Sequence, residues 1–244
     1  MELAGTVALV TGAARRVGRS IALELAAAGC DIALHYHRSR DDADSTARRI
    51  ADLGRRCERI QADLAAPDAP ARVIEAAVTA MGRLDVLVNN AAVFERMSLE
   101  EFDLDAWDRT MRVNLSAPAA LAAHARAHLA VRGCGKIVNV CDIAADRPWP
   151  SYLAYSASKA GLVALTRALA RALAPQVQVN AVSPGIAEFP EDYDPDTRRR
   201  LVEQVPLRRA GSPEDVARTV RFLVQDGDYI TGQVIHVDGG RSIL

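Results

Sequence analysis

Tyr155 and Lys159 stand four residues apart in Tyr155-Ser-Ala-Ser-Lys159, and Asp142 lies thirteen residues before the tyrosine. On a helix, positions i and i+4 share one face, so a phenol and an ammonium at this spacing point into the same cleft. A cation beside a tyrosine hydroxyl stabilises the phenolate and draws its pKa down from about 10. Tyr155 is thereby a candidate proton donor or acceptor. The pair alone is a weak signal, and its weight depends on the elements that position it.

Those elements are read from two alternating hydrophobic periods. Thr6–Val10, Asp31–Tyr36, Cys57–Gln61, Leu84–Val88, Lys136–Val140, Gln178–Val182 and Val234–Val237 read as strands. Arg15–Ala28, Asp41–Leu53, Ala69–Met81, a long Asp105–Val131, Ser151–Leu173 and Pro213–Val224 read as helices. Strands separated by helices of this length predict βαβ units. The expectation is an α/β Rossmann fold: a doubly wound parallel sheet of about seven strands, helices on both faces, and one domain over residues 1–244.

Composition narrows the function classes. Half of the 244 residues are hydrophobic and the formal net charge is −1, which gives no basic excess for nucleic acid. No run of about 18 apolar residues suggests a membrane span, and Met1-Glu-Leu-Ala-Gly leads straight into a strand, so a cytoplasmic protein is expected. Cys30, Cys57, Cys134 and Cys141 have no metal-ligand spacing and read as reduced, mostly buried thiols with no metal.

In a doubly wound sheet, ligands bind beyond the carboxyl ends of the strands. The first strand ends in Thr11-Gly-Ala-Ala-Arg-Arg-Val-Gly18, where Gly12 and Gly18 permit a tight turn and the helix start offers free N–H groups to a pyrophosphate. Arg16 occupies a place where such loops often carry a small residue. The second strand ends in His35-Tyr-His-Arg-Ser39, with no carboxylate to bind a ribose 2′-hydroxyl. Arg38, Ser39, Arg16 and His37 instead supply donors for a 2′-phosphate, which favours NADP(H) over NAD(H). Asp63 is placed to accept from an adenine amino group, and Asn89-Asn-Ala-Ala92 to flank a cofactor ribose. Asp85 reads as structural. Asn114, inside the long helix, either satisfies backbone groups or holds water in a relay to Lys159.

These segments together resemble the short-chain dehydrogenase/reductase family, in order and spacing, across essentially the whole chain through Val237-Asp-Gly-Gly240. The resemblance implies hydride transfer with a nicotinamide, Tyr155 as proton donor, Lys159 binding the ribose and tuning Tyr155, and Asn114 completing the relay. It also implies cofactor contacts from Gly12, Arg16, Val17, Gly18, Asp63, Leu64, Asn90, Ala91, Ala92, Pro184, Gly185 and Ile186, and a homotetramer or homodimer.

Asp142 departs from the family pattern, in which a serine hydroxyl donates to the substrate carbonyl. A carboxylate there opposes the oxyanion of ketone reduction, but it suits a C=N bond whose nitrogen must gain a proton. The branch carrying this aspartate is the pteridine reductases, including bacterial dihydromonapterin reductases. Arg16 and His35-Tyr-His-Arg-Ser39 resemble that branch too. Phe94 falls where it stacks a pterin against the nicotinamide, although a core aromatic is the plain alternative. Ala92 replaces a serine many of its members carry.

The leading expectation is an NADPH-dependent reductase of dihydrobiopterin-, dihydromonapterin- or dihydrofolate-type rings, with Arg16, Phe94, Asp142 and Tyr155 on the substrate. The alternatives are a ketone or acyl-carrier-thioester reductase with Asp142 neutral, and a non-catalytic NADP-binding regulator, against which Tyr155, Lys159 and Asn114 argue. The segment Ile186 to Arg200, acidic (Glu188, Glu191, Asp192, Asp194) then basic (Arg198 to Arg200), is expected to be a lid. Phe189, Tyr193 and Trp149 either line the pocket or pack.

Overall fold

Seven apolar runs become strands: β1 (Val7–Val10), β2 (Asp31–Tyr36), β3 (Cys57–Gln61), β4 (Val86–Asn89), β5 (Gly135–Val140), β6 (Val177–Pro184) and β7 (Val234–Val237). They form one parallel sheet in the order β3-β2-β1-β4-β5-β6-β7. The structure, a computed structural model, describes residues 1–189 and 193–243. Glu191 and Asp192 of the expected lid lie outside the described residues.

The central strands are buried on both faces, because helices cover each side. Ala8, Val10, Ile32, Leu34, Val86 and Val138 pack against α1 (Arg16–Ala27) and α8 (Pro213–Gln225). Their sequence neighbours Val7, Leu9, Ala33, Leu87 and Ile137 face the other way, onto α3 (Ala69–Met81), α5 (Ala117–Leu129) and the end of α6 (Leu153–Leu173). The remaining helices are α2 (Arg40–Asp52), α4 (Leu104–Met111) and α7 (Pro195–Glu203). Strand order reverses between β1 and β4, and that switch point opens the cleft at their carboxyl ends. Among the described residues, no helix is long and apolar enough to cross a membrane.

Two elements differ from expectation. The long helix is broken: α4 and α5 are separated by a wider π-helical turn, Arg112–Ser116, which contains Asn114. Inside the expected lid, α7 is a true helix. Asp194 caps it by accepting from the Thr197 N–H at 2.9 Å, and Pro195 sits in its first turn. Asp85 is structural as read: it accepts from Val7 N–H and pairs with Arg83 at 2.7 Å.

Candidate active site

The loop after β1 is built for close approach. Gly12 has φ +64°, and a Cβ on Gly18 would sit 2.2 Å from the Gly12 carbonyl and 2.5 Å from the Asn90 amide. Only glycine fits there. Asn90 donates to the Thr11 and Gly12 carbonyls at 2.8 and 3.2 Å. The Thr11 hydroxyl in turn accepts from the Asn90 and Ala91 N–H groups. His35, buried behind the loop, accepts the Gly12 N–H at 3.2 Å on Nδ1, while Nε2 meets the Ala62 carbonyl at 3.1 Å. Burial pushes its pKa down to about 4, so the ring is neutral and Nε2 carries the proton.

Most expected phosphate ligands lie around this loop. Arg38 is exposed just beyond β2, with His37 and Ser39 half-buried beside it. His37 lies 3.7 Å from Asp63, whose other carboxylate oxygen accepts the Ala65 N–H. Val17 is half-buried and Leu64 buried. Arg16 is exposed and adopts φ +54°, a strained conformation for a residue with a side chain, costing on the order of 1 kcal/mol. Its guanidinium pairs with Glu188 at 2.7 Å, a partner the sequence reading did not give it.

Asp142 ends the segment after β5 and caps the short turn Ile143–Ala145, accepting the Ala144 N–H at 2.8 Å. Its second oxygen accepts the Tyr155 hydroxyl at 2.9 Å. Burial raises the pKa of Asp142. Tyr155 is raised well above 10, by burial first and by the Asp142 charge next. The downward shift expected of Tyr155 is therefore reversed. Lys159 donates to the Val140 carbonyl at 2.8 Å, with its ammonium 5.6 Å from the centre of the Tyr155 ring, and burial lowers its own pKa. In this state the phenol and the carboxyl form a proton-holding pair, and the lysine stands ready behind them.

Asn114 takes the first of its two readings and satisfies backbone groups. Its amide accepts from the Val93 N–H at 2.8 Å and donates to the Val93 carbonyl and the Ser158 hydroxyl. With both donors spent, the side chain anchors the loop after β4 and does not itself reach toward Lys159. The other end of that loop is tied by Met97, which bonds Ser151 and Leu153 through backbone groups. Phe94 is held between these anchors. Its ring stacks on Tyr152 at 4.6 Å and meets Tyr155 and Trp149 edge-on, leaving the residue 44% exposed. Phe94 is thus at the site and not in the core, but Tyr152 covers one of its faces. Ala92 beside it is exposed.

The far wall comes from β6 and the described residues that follow it. Pro184 closes β6 in register with Val237, Gly185 donates to the Val237 carbonyl, and the Ile186 carbonyl accepts from Gly211. Phe189 and Tyr193 pack together with Arg198 over the Phe189 ring at 5.6 Å. All four cysteines are free, with Cys30 and Cys141 buried. Among the described residues, no three His, Cys, Asp or Glu side chains gather to hold a metal.

Sequence reasoning missed Thr11, His35, Ser158 and Tyr152. Thr11 and His35 have partners distant in sequence, Ser158 links the distant Asn114 to the nearby Tyr155 carbonyl, and Tyr152, three residues before Tyr155, lay in view.

The chain resembles known proteins in both sequence and fold. Residues 12–242 match the family described as Enoyl-(Acyl carrier protein) reductase. The chain is 38% identical over 237 residues to the 3-oxoacyl-[acyl-carrier-protein] reductase FabG of Staphylococcus epidermidis, covering 96% of this chain and 97% of that protein. Among solved structures, FolM alternative dihydrofolate reductase 1 from Brucella canis, complexed with NADP, is 37% identical with a TM-score of 0.93, over 100% of this chain and 96% of that one. A blue fluorescent protein from a metagenomic library, in complex with NADPH, is 37% identical with a TM-score of 0.92, over 99% of each chain.

Proposed function

The chain belongs to the short-chain dehydrogenase/reductase family, and on that premise we propose that it is an NADPH-dependent reductase of C=N bonds in flat, pterin-type rings. The observation that carries the reading is the Tyr155 hydroxyl donating to Asp142 at 2.9 Å, where a ketone reductase needs a second donor. The FolM structure supports the cofactor through its bound NADP, and its description as an alternative dihydrofolate reductase supports the substrate class.

The residues present fit NADP(H). Gly18 leaves no room for a Cβ and Gly12 holds a positive φ, and Arg38 and Ser39 follow β2 where a carboxylate would repel a 2′-phosphate. Asp63, Leu64, Asn90, Ala91, Ala92, Pro184, Gly185 and Ile186 complete the groove as we assign it. When bound, the dinucleotide supplies hydride. The chain supplies the rest: Phe94 and Tyr152 orient a planar ring, and Arg16 contributes positive charge at the rim. The Tyr155–Asp142 pair delivers a proton to the ring nitrogen, with Asp142 accepting from neighbouring ring N–H groups. Lys159 re-protonates or electrostatically supports the phenol. Asn114 acts as a positioning residue, because it fixes the loop that presents Phe94.

A second reading, reduction of a 3-oxoacyl or other ketone, is the one the curated relatives favour. It requires Asp142 protonated, and the burial that raises its pKa supports that state. The two separate in one assay: NADPH oxidation with dihydrobiopterin, dihydromonapterin, dihydrofolate, a 3-oxoacyl thioester and simple ketones. Pterin turnover is expected, with NADPH preferred to NADH. Ketone or thioester turnover without pterin turnover overturns the leading reading. We also assign a homotetramer or homodimer, on the family resemblance alone.

A further inference from the structure

A cavity of about 580 Å³ lies beside the proton-transfer pair and shares a wall with it. That wall is Trp149, whose ring lies parallel to the Tyr155 ring with centroids 6.4 Å apart. Ile143, which directly follows Asp142, and Pro148 extend the apolar side. Arg147, Arg241 and Gln204 line the rest. Among the described residues, the one carboxylate lining it, Asp146, is paired with His236 at 2.8 Å.

Arg241 is the unexplained member. It is only half-exposed, and burial lowers its pKa. Its electrostatic neighbours include Asp142 and Asp238, yet it hydrogen-bonds neither. Asp142 accepts from Ala144 and Tyr155, and Asp238 from the Gly240 and Ser242 N–H groups. Among the described residues, the Arg241 guanidinium makes no hydrogen bond; its backbone carbonyl accepts from Arg147. A guanidinium without a hydrogen-bond partner among the described residues, half withdrawn from water into a cavity of ligand size, is matched by a carboxylate in bidentate contact.

We propose that this cavity is an anion subsite for the substrate: it receives a carboxylate-terminated aryl extension of the reacting ring, with Arg241 pairing the carboxylate and Trp149 carrying the aryl group. The assignment deepens the C=N reductase reading and rests on it for what the extension is attached to. It makes Arg241 a specificity-determining residue that separates folate-type substrates from pterins with short neutral side chains.

The test measures binding first, on the protein holding NADP⁺. Calorimetry with para-aminobenzoylglutamate and with phosphopantetheine is run on the wild type, Arg241→Gln and Arg147→Gln. The benzoylglutamate is expected to bind the wild type, with affinity reduced roughly tenfold or more in Arg241→Gln and less in Arg147→Gln. The ratio of kcat/KM for dihydrofolate over dihydrobiopterin falls by a similar factor in Arg241→Gln, through KM. Unaltered benzoylglutamate affinity in both variants overturns the proposal, as does tighter binding of phosphopantetheine. If no pterin is reduced but benzoylglutamate binding still depends on Arg241, the subsite stands and the reaction reading fails. Arg147→Gln, on the exposed rim, keeps the test informative should Arg241→Gln not fold.

Discussion

The two sides of the cleft are held together by different means. On the nucleotide side, the loops after β1 and β4 are locked to each other through largely buried side chains: Thr11 to Asn90 and Ala91, Asn90 to Thr11 and Gly12, His35 to Gly12. On the substrate side, the segment after β6 meets the body through an exposed ion pair, Arg16–Glu188, and Phe94 stacks on Tyr152 while Trp149 meets both rings edge-on. The first arrangement fixes backbone N–H groups for one ligand shape. The second leaves room for ring systems that differ between substrates. Between them, Asp142, Tyr155 and Lys159 are titratable groups withdrawn from water.

The largest effects should fall on that central pair. Tyr155→Phe removes the proton donor and is expected to lower kcat for pterin reduction about 10²- to 10⁴-fold with NADPH binding little altered. Asp142→Ser should lower pterin reduction comparably while ketone turnover appears or rises, because a hydroxyl donor replaces an acceptor. Steady-state kinetics on both substrate types decides it. Pterin reduction surviving Asp142→Ser would make the carboxylate a helix cap and no more.

How much of this comparison was legible in the sequence follows the same division. The sheet and most helices are written in periodicity, and Gly12, Gly18, Asp142, Tyr155 and Lys159 are marked by type and spacing. The turn at Arg112–Ser116 was not, because one extra residue per turn leaves the apolar pattern of a helix almost intact. Asn114 was read as part of a helix for that reason, and its real partner, Val93, lies in another loop. The helix α7 had a readable start, Asp194-Pro195 with Thr197 behind it, but its polar composition masked it as loop. Tyr155's raised pKa was illegible because it depends on which neighbour the phenol touches. Sequence spacing pointed to Lys159, whereas the fold supplies burial and Asp142.

Next in size is an effect on the rigid side. His35 has its pKa depressed from 6.5 to about 4, so the fold rejects its cation. Below about pH 6.5 the unfolded chain binds a proton that the native state does not, and stability falls as pH drops, levelling near pH 4. The loss is roughly 3 kcal/mol over that window. Carboxylates held low, such as Asp31 and Asp228, lose their contribution only below it. Urea midpoints between pH 7 and 4 should therefore slope downward in the wild type and flatten in His35→Asn. An equal slope in both would show that the Gly12 loop does not depend on this ring.

The Arg38 side chain tests whether the nucleotide side discriminates as well as binds. Arg38→Ala should weaken NADPH binding about tenfold and leave NADH within about twofold, since only the former carries the 2′-phosphate. Equal loss for both cofactors would place Arg38 on the shared pyrophosphate or adenosine instead.

The smallest effect sharpens the comparison at the point where the two sides touch. Arg16 belongs to the glycine loop by position, yet its guanidinium is turned to Glu188 of the lid, with side chains 49% and 43% exposed. A pair that exposed contributes at most about 1 kcal/mol. If Arg16 must release Glu188 to reach a cofactor phosphate, then Glu188→Gln removes the competitor, and the NADPH Kd should fall about two- to fivefold. The gain should shrink with added salt, as screening shortens the reach of exposed charges. It should also vanish when Arg16→Ala is combined with Glu188→Gln, because no guanidinium remains to be freed. Weaker NADPH binding in Glu188→Gln would reverse the assignment: the ion pair would then close the lid over the dinucleotide, and the two sides of the cleft would bind it together.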